Sequence, residues 1–180
     1  MTSAEGEAPL ARILEGFRAR PSLAGLRAAL VQAERCGRRP EVRACLLETL
    51  EAGVAREPRL VYRLYLEDGD DLGAAAAARQ LGHPSALLDV ADATRRSFRA
   101  LSIQLYLEAA DALARQGTRR AYARAALALS WCRALMAGEE VRWVSWFGAF
   151  RDRHRRRRTL LQELVRAGLD PEQIPPQVRL

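Results

Sequence analysis

The sequence contains no lysine, so all 29 of its basic residues are arginines. It has only two histidines and three widely spaced cysteines, and no pair of carboxylates accompanies either histidine. Catalytic and zinc-binding sites need such groups within reach of one another. We therefore predict that the protein is not an enzyme and that it binds no metal and no cofactor. We expect Cys45 and Cys132, which lie among Leu and Ala, to be buried free thiols.

Long apolar runs are also missing from the sequence. No segment approaches the roughly 20 apolar residues that a membrane-spanning helix needs. The first ten residues are acidic and lack the apolar stretch of a secretory signal. We therefore expect a cytoplasmic protein with no membrane partner.

Positive charge is present in excess, and it is unevenly distributed. Residues 1–90 hold 12 arginines and 13 acidic residues, whereas residues 91–180 hold 17 arginines and nine acidic residues. The segment 142–158 (RWVSWFGAFRDRHRRRR) alone contains seven arginines and one aspartate. This asymmetry favours an anionic partner for the second half. The alternative is that these arginines lie on solvated helix faces and pair with acidic neighbours.

Prolines and glycines divide the chain into helical segments. Prolines such as Pro21 and Pro84 stand near apparent helix starts, and glycines such as Gly82 and Gly117 stand just after apparent ends. Between these positions the apolar residues recur every three or four residues, which is typical of helices. The pattern predicts ten helices, at 9–19, 22–36, 40–52, 58–67, 70–81, 84–95, 98–116, 119–137, 139–157 and 159–167.

The predicted helices are short, and turns of two to four residues join most of them. Such short connections favour antiparallel neighbours. We therefore predict an all-α fold in which antiparallel helical hairpins stack as a short α-solenoid, a helical-repeat-like array. Residues 8–168 would form a single domain. A flexible N-terminus over 1–7 and an extended tail with three prolines over 169–180 would flank it.

Four aromatic residues recur at helical spacing inside the segment 142–158. They are Trp143, Trp146, Phe147 and Phe150. This spacing is typical of a buried stripe, so a core role is favoured over an exposed platform for stacking on nucleic-acid bases. His154 extends the stripe by one turn, and we expect it to cap the cluster with a hydrogen bond to a backbone carbonyl.

Four acidic residues surround Gly69, at positions 67, 68, 70 and 71. A calcium loop would need a glutamate at its end, and none is found there. The cluster therefore predicts a hairpin turn, in which Asp70 or Asp71 caps the following helix.

The arginines near the end of the same segment are the candidate binding residues for an anionic partner. They are Arg151, Arg153, Arg155, Arg156, Arg157 and Arg158. If the helix continues through the run, Arg151, Arg155 and Arg158 form one stripe. If it stops, Thr159 and Gln162 match a capping box that starts a new helix, and the run lies at a helix C-terminus. In both cases guanidinium groups converge that can bind phosphates or acidic side chains.

From about residue 57 onward, four stretches carry a resemblance to a known family. They are LYLEDGDDLGAAAAA at 64–78, the segment 91–106, RQGTRRAYARAALAL at 115–129, and the segment 146–169. In these stretches the chain resembles the C-terminal helical region of bacterial SWIM zinc-finger proteins. The resemblance implies a basic helix followed by a short leucine-rich helix, and a role in DNA or protein interactions.

The family's zinc finger, a C-x-C…C-x-H arrangement, has no counterpart in this sequence. Cys36 and Cys45 are nine residues apart, and no second pair follows. Zinc binding therefore does not carry over. Because the chain begins with Met1 and lacks the finger, we expect a stand-alone relative of the helical region or a detached fragment.

These observations favour a protein-binding scaffold in which arginines 142–158 select partners by charge. The alternative is a nucleic-acid-binding accessory protein that uses the same basic belt. Nucleic-acid binding requires arginines exposed on one surface, without acidic neighbours, whereas protein binding predicts an exposed apolar patch beside them.

Overall fold

The computed structural model describes residues 3–52 and 57–169, with the backbone alone for residues 3–7. Within these ranges the chain forms ten helices and no strand, which confirms the all-α prediction. The helices are α1 (Ser3–Ala19), α2 (Leu23–Arg35), α3 (Arg39–Ala52), α4 (Arg59–Glu67), α5 (Asp71–Leu81), α6 (Pro84–Thr94), α7 (Arg99–Gln116), α8 (Arg119–Leu135), α9 (Glu140–His154) and α10 (Arg158–Arg166). None of these helices has the length and apolar content that crossing a bilayer requires.

Most helix boundaries agree with the predicted ones because local capping defines them. The side chains of Ser22, Asp70 and Thr118 each accept a hydrogen bond from the backbone N–H three residues later. These bonds satisfy N–H groups that a helix leaves unpaired in its first turn. Gly82 and Gly117 have φ values of 66° and 76°, a left-handed conformation that ends α5 and α7 without strain on a side chain.

The two ends of the described chain differ from the prediction. Helix α1 begins at Ser3 and contains Pro9, so residues 3–7, predicted as flexible, are helical. Proline is favoured at a helix start, but here it lies inside the helix. At the other end Leu169, predicted to begin the tail, is buried, and its N–H donates to the carbonyl of Leu164 at 3.0 Å. Residues 1–2 and 170–180 lie outside the described residues.

Backbone contacts divide the chain into two compact units, Met1–Gly82 and His83–Leu180. The single domain over 8–168 stays a prediction. In the first unit α2 packs against α1, α3 and α4, and α4 packs against α5. Its core contains Phe17, Leu26, Leu46 and Leu64, which are almost fully buried. Stacking of hairpins into a solenoid stays a prediction.

Helix α7 is central to the second unit, where it packs against both α6 and α8. Small buried residues such as Ala110 of α7 and Ala125 of α8 allow this close approach. Where α6 and α7 meet, the buried hydroxyls of Thr94 and Ser102 lie 2.9 Å apart and share a hydrogen bond. Helix α8 also packs against α10. The second unit is therefore built around the packed pair of α7 and α8.

The acidic cluster around Gly69 forms the turn between α4 and α5, as predicted. Asp70 is the N-cap of α5, and its carboxylate accepts from the N–H of Gly73 at 2.8 Å. Asp68, whose side chain is mostly buried, accepts hydrogen bonds from Arg39 and Arg43 of α3. Desolvation lowers the pKa of Arg39, but its hydrogen bonds to Glu34 and Asp68 raise that pKa above its ordinary value. The cluster therefore ties α3 to the α4–α5 turn.

Gly73 lies in the first turn of α5, where close contacts rather than backbone angles require a glycine. A Cβ atom added there would lie 2.5 Å from the Asp70 carboxylate and 2.7 Å from the Tyr65 ring. We expect Gly73→Ala to lower the free energy of unfolding by about 1–3 kcal/mol. The matched control is Gly16→Ala in α1, where nothing lies within 4 Å of the added atom. The control should raise stability by up to about 1 kcal/mol. Chemical denaturation checks both values, and equal stability of Gly73→Ala and the parent would contradict the packing argument.

Candidate functional site

Three of the four predicted aromatic stripe residues of α9 are buried. Trp143, Phe147 and Phe150 are at most 3% exposed, and the Trp143 and Phe147 ring centroids lie 5.0 Å apart. Trp146 is only half-buried, although it stacks on Phe150 at 5.3 Å. The three buried rings have no face free for stacking on a base. The fourth, Trp146, keeps part of its ring in contact with solvent.

His154 extends this stripe, as predicted, but its hydrogen-bond partner is different. It is buried, and its ring centroid lies 4.7 Å from that of Phe150. Its Nε2 atom lies 3.2 Å from the Oδ1 atom of Asp111 on α7, so the partner is a carboxylate rather than a backbone carbonyl. Asp111 is 43 positions away in the sequence, and periodicity within α9 gives no information about it. The same carboxylate pairs with Arg115 at 2.6 Å and with Arg153 at 3.3 Å.

The run of arginines interrupts the helix instead of continuing it. Helix α9 ends at His154, and α10 begins at Arg158. The prediction that Arg151, Arg155 and Arg158 form one stripe on a continuous helix is therefore wrong. The predicted capping box is also wrong, because Arg157 is the N-cap of α10, without a side-chain cap, and Thr159 lies inside the first turn. The prediction that the run lies at a helix C-terminus is confirmed.

Arg157 is the anchor of this turn. Its Nη1 atom donates to the carbonyl of Ala114 at 2.6 Å and to the hydroxyl of Tyr122 at 3.3 Å. Ala114 is in the last turn of α7, where backbone carbonyls lack helical partners. A guanidinium there satisfies the acceptor and is favoured by the helix dipole. Arg157 is therefore occupied by the fold and is not available to a partner in the way that was predicted.

The remaining arginines of the segment separate into paired and unpaired side chains. Arg142 pairs with Glu139 at 2.9 Å, and Arg153 pairs with Asp111. Four others have side chains that make no hydrogen bond or ion pair with any described residue: Arg151, Arg155, Arg156 and Arg158. Arg151 is half-buried and the other three are exposed. The basic belt thus contains both paired and unpaired arginines, and its uncompensated charge is concentrated after the end of α9.

A polar cavity of about 500 Å³ opens at this place. It is lined by six consecutive residues, 152–157. Four of them are arginines, and Asp152 is the one carboxylate among them. The cavity wall therefore carries net positive charge.

A second concave surface, apolar in character, runs along α9. We call it the α9 groove, and its volume is about 670 Å³. It is lined by Leu107, Met136, Val141, Arg142, Ser145, Trp146 and Ala149. Val141 is 65% exposed, a high value for an apolar side chain. Sequence reasoning identified Trp146 but missed Leu107, Met136 and Val141, which only the tertiary fold brings together.

Trp131, the third tryptophan, lies on α8 and is 43% exposed. The guanidinium of Arg95 lies 5.1 Å from the centre of its ring. This cation–π contact covers part of the exposed face and keeps the arginine near α8.

Two side chains with reactive chemistry, Cys132 and Tyr106, are buried in the core of the second unit. Burial raises the pKa of the Cys132 thiol to about 12, so it is a poor nucleophile near neutral pH. Burial, with a hydrogen bond to Asp92, raises the pKa of Tyr106. Cys45, expected to be buried, is only half-buried and accepts a hydrogen bond from Arg18. Among the side chains that the structure describes, at 8–52 and 57–169, no three of His, Cys, Asp or Glu group as metal ligands would.

Comparison with known proteins adds no relative. No protein-family model, no curated protein and no solved structure matches this chain. The resemblance to SWIM zinc-finger proteins therefore stays a prediction.

The difference in burial between Phe150 and Trp146 predicts a difference in stability. Phe150→Ala removes a fully buried ring and should lower the free energy of unfolding by about 3–5 kcal/mol. Trp146→Ala should cost roughly half as much or less, because part of its ring already contacts water. Chemical denaturation with a tryptophan-independent signal, such as circular dichroism, measures both. Equal losses would show that Trp146 belongs to the core.

The anchoring role of Arg157 predicts that neighbouring arginines differ in their effect on folding. Arg157→Gln should lower stability by about 1–3 kcal/mol, since it removes a charged donor from the Ala114 carbonyl. Arg156→Gln is the matched control, because this exposed side chain has no described partner, and it should change stability by less than about 0.5 kcal/mol. Melting temperatures that shift equally for the two variants would argue against the anchor.

Proposed function

We propose that this chain is a non-enzymatic interaction module that binds an apolar segment of a protein partner in the α9 groove. Neighbouring arginines would select partners that carry acidic residues. The observation that carries the proposal is the groove itself, in which Val141 is exposed and Trp146 is half-buried beside Arg142.

The composition of the groove supports protein binding. Tryptophan, methionine and arginine are enriched in protein–protein interfaces, and tryptophan and arginine contribute most often to their binding energy. Met136 and Leu107 form an apolar floor, and Ser145 and Arg142 are the polar side chains that line the groove. A partner would remove this apolar surface from water at little desolvation cost.

Charge near the groove supports an acidic partner. Arg142 is exposed, and its ion pair with Glu139, the N-cap residue three positions earlier, lies at the surface. Such pairs contribute little to stability, so Arg142 can exchange Glu139 for a partner's carboxylate at small cost. The excess arginine of the second half would also speed association with an acidic surface.

The second candidate function is nucleic-acid binding by an accessory protein. Its support comes from the unpaired arginines after α9 and not from the basic belt as a whole, because Arg142, Arg153 and Arg157 already have partners. The proposal also includes two expectations from the sequence, namely a cytoplasmic location and a relation to bacterial SWIM zinc-finger proteins.

Site-specific photo-crosslinking tests the groove directly. A benzophenone amino acid replaces Ser145, which is exposed and lines the groove. Under light in cells, we expect one discrete protein adduct that mass spectrometry identifies. The matched control places the same amino acid at Ala123 of α8, which is exposed and does not line the groove.

A second substitution makes the result specific. Val141→Asp adds a charge to the groove at a position that is 65% exposed, so it should leave folding intact and abolish the adduct. Adducts of equal yield at 145 and 123, or an adduct that survives Val141→Asp, would overturn the proposal.

A further inference from the structure

We propose that the turn after α9 is a phosphate-binding site that takes the backbone of duplex nucleic acid without sequence preference. Its binding residues are Arg155, Arg156 and Arg158, which we call the arginine turn. This site is separate from the α9 groove; it rests on the second candidate function, nucleic-acid binding, and names the residues and the ligand of that function.

The first argument is that the charge of the arginine turn is uncompensated. Several other exposed arginines of the second unit have acidic partners: Arg115 pairs with Asp111, Arg142 with Glu139, and Arg166 with Glu163. Exposed arginines without an acidic partner occur elsewhere in the unit, such as Arg96 and Arg120, but not as three within four consecutive positions. The three side chains of the arginine turn are exposed and have no such partner in the described part of the chain. Three adjacent guanidinium groups repel each other, and an anion between them would relieve that repulsion.

The second argument is that the backbone beneath these side chains is held in place from both sides. His154, directly before the turn, is buried on Phe150 and bonded to Asp111. Arg157, inside the turn, donates to the carbonyl of Ala114 and to the hydroxyl of Tyr122. Because these anchors order the chain before any partner arrives, binding loses less conformational entropy.

The third argument concerns shape and donor geometry. Arg155 and Arg156 line the polar cavity of about 500 Å³, which is large enough for phosphate oxygens. The planar guanidinium group donates two parallel hydrogen bonds to a phosphate. Asp152 also lines the cavity, but the arginines there outnumber it.

The chemistry points to phosphates rather than to bases. The α9 rings closest to the turn, Phe147 and Phe150, are buried and have no face to stack on a base. Arginine contacts to phosphates hold a duplex but carry no sequence information. Three contacts predict affinity in the range of non-specific binding, about 10⁻⁴ to 10⁻⁶ M.

Fluorescence anisotropy with a labelled random duplex, over a series of salt concentrations, tests the site on the full chain. Each phosphate contact contributes about −0.9 to the slope of log K against log salt, so three contacts predict a slope of about −2.7. The triple variant Arg155→Gln, Arg156→Gln, Arg158→Gln should reduce the slope to near zero. Its melting temperature should stay close to that of the parent, because these side chains have no described partners.

The control is a second triple variant with the same change in net charge: Arg115→Gln, Arg142→Gln, Arg166→Gln. These arginines are exposed in the same unit but are already paired, so this variant should keep most of the slope. An equal loss in both triple variants would mean that overall charge drives binding, and it would overturn the site.

Two further outcomes would also overturn the proposal. The first is absence of duplex binding by the parent at 50 mM salt. The second is binding of tripolyphosphate without binding of the duplex, which would assign the cavity to a small polyphosphate. The α9 groove is tested separately, since Val141→Asp should leave the duplex slope unchanged and the triple variant of the arginine turn should keep the adduct at 145.

Discussion

The hydrogen bond from Arg157 to the carbonyl of Ala114 is the contact that the end of α9 depends on. It crosses 43 positions in sequence and joins the turn after α9 to the last turn of α7. That carbonyl has no partner within its own helix, so a cation placed there satisfies it and also meets the negative end of the helix dipole. The chain therefore turns at 155–157 instead of extending α9, and α10 can pack against α8.

The carboxylate of Asp111, one turn earlier on α7, reinforces this arrangement. It accepts from His154 and pairs with Arg115 and Arg153. One acidic side chain thus neutralises charge on two elements and holds His154 against Phe150. This arrangement leaves some arginines at the surface with an acidic partner and others without one. Arg153 is compensated by this carboxylate, whereas the exposed side chains at 155, 156 and 158 have no acidic partner among the described residues.

The limits of sequence reasoning are clear at individual residues. Capping residues such as Ser22 and Asp70 predicted helix starts well, because a cap acts within three positions of its partner. The four consecutive arginines 155–158 could not be told apart, because they are chemically identical. Only the hydrogen bonds of Arg157 to Ala114 and Tyr122 give this side chain its structural role. Helical spacing placed Phe150 in the core correctly, but it could not show that Trp146 lies at the edge of a groove whose other walls come from α7 and the end of α8.

The α9 groove lies along α9 and the arginine turn directly follows the end of that helix, so helix geometry sets the distance between them. At about 1.5 Å per residue, Val141 and Arg155 lie about 20 Å apart along α9. Binding at the two surfaces should also respond differently to salt. Affinity that comes from burying apolar surface is nearly independent of ionic strength, whereas affinity that comes from phosphate contacts falls as salt increases. A partner assembly that spans this distance would engage the second surface intramolecularly, and its affinity would exceed that of either contact alone. Because His154 and the buried rings anchor α9, we expect that distance to stay the same when one surface is occupied, so that each surface can be varied without altering the other.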